Sequence, residues 1–149
     1  MHRQKSHGAN LRKGRVSIPG QLYVITAVTR DRQPFFTDFL VARALVRVLQ
    51  EHEDREHAET LCFVVMPDHL HWLMRLGSNR KLEAVVRSVK ALSSKRTGNR
   101  LWQKGFYDHG LRWDENIKEI ARYIVANPLR AGLAAGINDY PHWDAVWMS

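Results

Sequence analysis

The chain reads as a single α+β domain of the ferredoxin-like or RRM-like kind, an antiparallel sheet with helices packed on it. Three observations predict this. Segments of period-two hydrophobicity alternate with segments of helical period in the order β-α-β-β-α-β, and one further helix follows. A chain of 149 residues fits one domain, and at this length about 70% of the unfolded surface is buried, enough for one core. Hydrophobic residues at 44% and charged residues at 26% exclude wholesale disorder.

The elements follow in order. A basic arm over residues 1–15, "MHRQKSHGANLRKGR", has no apolar segment behind it and so is no secretory signal. "QLYVITAVT" (21–29) alternates apolar and polar positions with β-branched residues and predicts a strand. "TDFLVARALVRVLQEHEDRE" opens on a Thr/Asp cap and repeats Leu40, Val41, Ala44, Leu45, Val48 and Leu49 at helical spacing. "TLCFVVM" and "HLHWLMRL" predict two strands joined at a Pro67–Asp68 corner. "NRKLEAVVRSVKALSSKRTG" places Leu82, Val85, Val86, Val89 and Leu92 on one helix face, with Gly98 as the stop. A short strand is expected within "GFYDHGLRW". "DENIKEIARYIVANP" then predicts a helix capped by Asp114, with Ile117, Ile120, Ala121, Ile124 and Val125 inward. The aromatic tail over 137–149, "INDYPHWDAVWMS", is expected to dock on the surface.

Charge narrows the function. The net charge is +8 and is unevenly spread: residues 1–30 hold six Lys or Arg and no acid, and residues 79–104 hold eight against Glu83. Clustered positive charge suits a polyanion, with nucleic acid the leading partner, and a plain solvated basic face the alternative. No apolar run approaches the roughly 18 residues of a membrane span. The single cysteine, Cys62, excludes an intrachain disulfide and a Cys-based zinc site, and suits a reducing, cytoplasmic compartment.

Two patterns carry the chemistry. In "DHLHWL", His69 and His71 are two apart on a strand, so both imidazoles leave the same face while Leu70 and Trp72 leave the other. Such a pair offers two nitrogens to one divalent metal, or is simply two hydrogen-bonded, partly buried histidines. On the last helix, Tyr123 and Asn127 are one turn apart. They present a phenol and an amide to one point, or else a core-edge tyrosine and a helix C-cap before Pro128. Asp68 either caps its turn or orients a histidine.

"MPDHLHWL", "WQKGFYDHGLRWDEN" and "IARYIVANPLRAGL" together resemble the REP-associated tyrosine transposases, relatives of the single-tyrosine HUH transposases of IS200-type elements. "GQLYVITAVTRDRQPFF" is similar to that family's opening strand and "DYPHW" to its tail, so the resemblance runs from residue 15 to residue 144. It implies the HUH endonuclease type of fold, with His69 and His71 binding Mg²⁺ or Mn²⁺ and Asn127 as third ligand. It further implies that Tyr123 attacks a phosphate of single-stranded or hairpin DNA carrying REP-like palindromes, forming a 5′-phosphotyrosine, in a protein acting as monomer or homodimer. Val125 and Ala126 depart from it, standing where charged or polar residues are usual, which bears on local phosphate contacts rather than on the nucleophile.

The DNA contacts expected are Arg3, Lys5, Arg12, Lys13 and Arg15 of the arm, Arg87, Lys90, Lys95 and Arg96 of the second helix, and His109 as phosphate contact or proton carrier, with a structural role for His109 the alternative. Trp102, Trp113 and Trp143 are either base-stacking platforms or core. Two other classes compete: a non-catalytic single-stranded nucleic-acid-binding module on an RRM-like sheet, which "LYVITAVT" serves poorly with Tyr23 alone, and a metal-dependent phosphohydrolase with a structural Tyr123.

Overall fold

The computed structural model describes residues 17–136 and 139–145. The arm residues Arg3, Lys5, Arg12, Lys13 and Arg15 lie outside them, as does much of the tail. Five strands form one sheet in the order β4-β1-β3-β2-β5: β1 Leu22–Val28, β2 Ala58–Met66, β3 His69–Leu76, β4 Tyr107–Gly110 and β5 Trp143–Ala145. Every neighbouring pair in this sheet is antiparallel. The first four strands stand in the ferredoxin-like order, with β5 added at the β2 edge. The α+β expectation holds.

The strand period sorts residues onto two faces. Tyr23, Ile25, Phe63, Val65, Leu70, Trp72 and Met74 face helices α1 (Phe39–Asp54) and α2 (Leu82–Thr97), which complete the larger core. Trp72 is fully buried, and its indole N–H donates to Thr60 Oγ1 at 2.9 Å, so its one polar atom is satisfied. Leu22, Val24, Cys62, Val64 and Leu73 face the other way, under α3 (Ile117–Val125), and form a smaller core with Ala121, Ile124 and Val125. Both faces of the sheet are thus covered, which leaves no open aromatic platform of the RRM kind.

Helix α1 starts where Asp38 Oδ1 accepts the Leu40 N–H at 3.0 Å. Four of the six expected positions, Val41, Leu45, Val48 and Leu49, are buried; Ala42, Val46 and His52 join them, Ala44 is half-buried and Leu40 is 76% exposed. The rows 41/45/48/52 and 42/46/49 form the inward stripe, and Leu40 lies outside it. His52 is accommodated because its Nδ1 bonds the Val48 carbonyl and its Nε2 bonds Ser88 Oγ, both at 2.8 Å, tying α1 to α2. Helix α2 ends at Gly98, whose φ of 71° is the left-handed cap conformation glycine adopts cheaply.

Two terminal details differ from expectation. Asn116, not Asp114, caps α3, accepting from the Glu119 N–H at 3.1 Å, because the first helical residue is Ile117 and Asp114 lies two residues too early, in the preceding turn with Arg112. The tail does more than dock: Val64 and Cys62 pair with Trp143 and Ala145, the Val65 N–H donates to the His142 carbonyl at 2.8 Å, and Tyr140 Oη donates to the Val65 carbonyl at 2.6 Å. Among the described residues no helix is long and apolar enough to cross a membrane.

Candidate active site

Strand β3 leaves the Pro67–Asp68 corner with His69 and His71 on the α3 face, as the spacing predicts. Their rings lie 4.7 Å apart, edge to face at 89°. Each is held through Nδ1. His69 Nδ1 is 2.8 Å from Asp68 Oδ1, and His71 Nδ1 is 3.1 Å from Oγ1 of Thr26, its cross-strand partner. Asp68 thus orients a histidine, and its other oxygen accepts from Arg32 Nη1 at 3.1 Å. Burial opposes ionisation of Asp68, but the hydrogen bonds and charges of His69 and Arg32 prevail and hold its carboxyl below the ordinary value. Arg32 reaches it from a turn in which Asp31 and Arg32 both take positive φ, 54° and 51°. The turn is pinned by Thr29 Oγ1 donating to the Gln33 carbonyl at 2.7 Å.

Anchoring through Nδ1 leaves each Nε2 for another partner, the arrangement that prepares histidines for a metal. His71 is pushed down to about 3, by burial first, then by the His69 imidazole and Arg130. It is therefore neutral at neutral pH, with a lone pair to give. Asn127 approaches from α4 (Asn127–Arg130), its Nδ2 3.5 Å from His69 Nε2, and rotation of the amide offers the carbonyl oxygen instead. Among the described residues no three His, Cys, Asp or Glu side chains gather as a metal cluster. The donor set on offer is therefore two imidazoles and an amide. That set fits Mn²⁺ readily and Mg²⁺ with water completing the shell.

Helix α3 buries Ala121, Ile124 and Val125 and leaves Tyr123 outward, 59% exposed, one turn before Asn127. The ring is not loose. The Arg130 guanidinium carbon sits 3.7 Å from its centroid. Thr26, Arg32 and Arg130 were not singled out from the sequence: Thr26 is found only through sheet register, Arg32 only through the geometry of its turn, and Arg130 only through the course of the chain from α3 into α4.

The expected DNA contacts separate. Lys90 is spent internally, its Nζ donating to the carbonyls of Gln103 at 2.8 Å and Gly105 at 2.6 Å, which makes it a latch between α2 and the segment before β4. Arg96 forms a two-pronged ion pair with Glu51 of α1. Arg87 and Lys95 are exposed, with Arg87, Arg100 and Lys104 rimming a groove of about 490 Å³. All four α2 residues stand on the sheet face away from the histidines. His109 is buried at 6% exposure, its Nε2 3.0 Å from both carboxylate oxygens of Glu115, so it secures the turn into α3, the structural alternative of the two expected for it. Trp102 and Trp143 pack against the two cores, and Trp113 is 97% exposed.

The chain is similar to known proteins. A Haemophilus influenzae protein assigned to the REP-associated tyrosine transposases is 28% identical over 141 residues, covering 83% of this chain and 78% of the relative. The REP-associated tyrosine transposase of Escherichia coli is 26% identical over 133 residues, covering 85% and 78%. The solved structure of a REP-associated tyrosine transposase bound to a REP hairpin superposes with a TM-score of 0.70 at 24% identity, covering 87% of this chain and 79% of that one. A transposase-like crystal structure from Deinococcus radiodurans gives 0.55 at 22%, covering 76% and 95%. These structural likenesses show a common fold. The family model for IS200-like transposases matches residues 18–127, from the turn before β1 to the first residue of α4, and the chain belongs to that family.

Proposed function

We propose that this transposase-family protein cuts and rejoins single-stranded DNA beside a hairpin, through a covalent bond between Tyr123 and a 5′ phosphate. The observation that carries the reading is the convergence of β3 and the α3–α4 junction: an anchored His69–His71 pair, Asn127 against His69, and an exposed tyrosine one turn away. The relative bound to a REP hairpin supports hairpin DNA as the substrate class.

The residues divide the work. His69, His71 and Asn127 would hold Mn²⁺ or Mg²⁺, which when bound polarises a phosphate and steadies a departing oxygen. Asp68 and Thr26 fix the two imidazole orientations, so the ligands need no reorganisation. Tyr123 Oη attacks phosphorus, forming the Tyr–O–P bond as the P–O3′ bond breaks. The phenol proton leaves to a base or water, and the 3′ oxygen departs as a hydroxyl after taking up a proton. The phosphotyrosine conserves the energy of the broken ester, so a free 3′ hydroxyl can reverse the step and join strands without a nucleotide cofactor.

The test is a denaturing gel of the protein mixed with 5′- and 3′-labelled hairpin DNA and Mn²⁺. The expected result is a protein–DNA adduct from the wild type and none from Tyr123→Phe, with folding and DNA binding retained. Cleavage by Tyr123→Phe at the wild-type rate would overturn the tyrosine reading in favour of activated water, and binding without cleavage by either protein would favour a non-catalytic module.

A further inference from the structure

We infer that Arg130 is a positioning residue for the nucleophile: it holds the Tyr123 ring by stacking on it and presents its remaining N–H donors to the phosphate under attack. This rests on the tyrosine reading above and adds to it a residue that no ligand or nucleophile pattern marks.

The first ground is geometry. A separation of 3.7 Å between guanidinium carbon and ring centroid is van der Waals contact over the middle of the ring, well inside the roughly 6 Å that defines a cation–π contact. Both partners are exposed, Tyr123 on α3 and Arg130 at the end of α4. An unpacked tyrosine would sample several rotamers, and an unpacked arginine many more. The stack removes that freedom at the one side chain whose direction decides in-line attack.

The second ground is how the chain brings the two together. They are seven residues apart, two helical turns. Although α3 ends at Val125 and α4 begins at Asn127, Ala126 between them keeps ladder bonds on both sides of the break: its N–H donates to the Arg122 carbonyl at 3.0 Å and its carbonyl accepts from the Arg130 N–H at 3.1 Å. Ala126 keeps right-handed helical angles (φ −81°, ψ 0°), and Pro128 is buried at the start of α4. The direction of α3 therefore carries through the break, and Gly132, with φ of 73°, ends the run just past Arg130. The junction that delivers Asn127 to His69 also delivers Arg130 to Tyr123. One piece of backbone sets ligand and nucleophile.

The third ground is charge. Among the described residues Arg130 has no carboxylate partner. A stacked guanidinium keeps its N–H edge free, the edge suited to the paired non-bridging oxygens of a phosphate. A cation held on the ring of the nucleophile stands where negative charge gathers during phosphoryl transfer.

The experiment compares wild type, Arg130→Ala, Arg130→Lys and Tyr123→Phe, measuring single-turnover cleavage of hairpin DNA at saturating protein and, separately, the dissociation constant. Arg130→Ala should cleave about a hundredfold more slowly, as when one preorganised donor is removed, while binding changes less than about fivefold. Methylguanidinium in the buffer should restore part of the lost rate to Arg130→Ala and nothing to Tyr123→Phe. Arg130→Lys, with charge but no planar stack, should stay at least about tenfold slow. Cleavage by Arg130→Ala within threefold of wild type overturns the inference, as does a rate loss fully matched by lost binding, or an absence of guanidinium rescue. A wild type that forms no adduct overturns the tyrosine reading itself, and this inference with it.

Discussion

The two faces of the sheet are built to different rules from the same strands. On the α1/α2 face, β3 contributes Leu70, Trp72 and Met74, all buried, to a large apolar core. On the α3 face it contributes His69, His71 and Leu73, and the apolar cluster there is smaller, with a short helix and a tail strand as cover. The polar atoms at β3 on that side are tied to Asp68, Thr26 and Asn127 rather than excluded. One face supplies the free energy that keeps the other face in a shape it would not choose for stability alone.

The sharpest way to break this comparison is to cut adjacent residues on opposite faces. Trp72→Ala should cost about 3–5 kcal/mol in urea denaturation, the usual range for losing a fully buried large aromatic. His71→Ala, one residue away, should cost about 1 kcal/mol, a single hydrogen bond to Thr26, while abolishing adduct formation. If both variants unfold at the same urea concentration, the histidine is a structural member of its face and the division of labour fails.

Acid should expose the same asymmetry on a smaller scale. His71 is depressed to about 3 in the fold, against an imidazole value near 6.5 in an unfolded chain. Between those values the unfolded chain binds the extra proton, so stability present above pH 6.5 is lost as the pH falls toward 3. Asp68 and Glu115, both held low by their partners, and His52 and His142, both lowered by burial, weaken the fold in acid too. The comparison is therefore wild type against His71→Asn, melted in chelator at pH 7 and pH 4. The wild type should lose more stability between the two, and parallel losses would mean that His71 does not carry the acid limb.

What was legible in the sequence follows from the range of the interactions. Strand period put His69 and His71 on one face, and helical period put Tyr123 one turn before Asn127, because both patterns are local. Thr26 beneath His71 depends on β1–β3 register, which no short window contains. Arg130 on Tyr123 depends on the direction of the chain through Ala126. Lys90 and Arg87 are alike in sequence, three apart on one helix, yet Lys90 is captured by the Gln103 and Gly105 carbonyls of a later segment. Strand β5 is too short, at three residues, to show a period at all. The cap depends on where the helix begins, which helical period leaves open by a residue or two: α3 starts at Ile117, so Asn116 and not Asp114 accepts the Glu119 N–H.

The smallest effect tests where DNA lies relative to the two faces. Arg87 and Lys95 are exposed on α2, on the face opposite the histidines, and Arg87 shares a groove with Arg100 and Lys104. Hairpin DNA engaged at Tyr123 reaches them only by passing around the sheet edge, so their contribution should be electrostatic and separable from chemistry. Each phosphate contact on a single strand contributes a slope of about −0.7 in log affinity against log salt, so Arg87→Ala with Lys95→Ala should flatten the slope by about 1.4. Bound DNA should still be cleaved at the wild-type rate. Lys90→Ala supplies the contrast: it should lower stability by about 1–3 kcal/mol, leaving two carbonyls without their donor, and leave the slope alone. A slope unchanged by the double variant would confine the DNA to the histidine face and make the α2 charges a solvated surface.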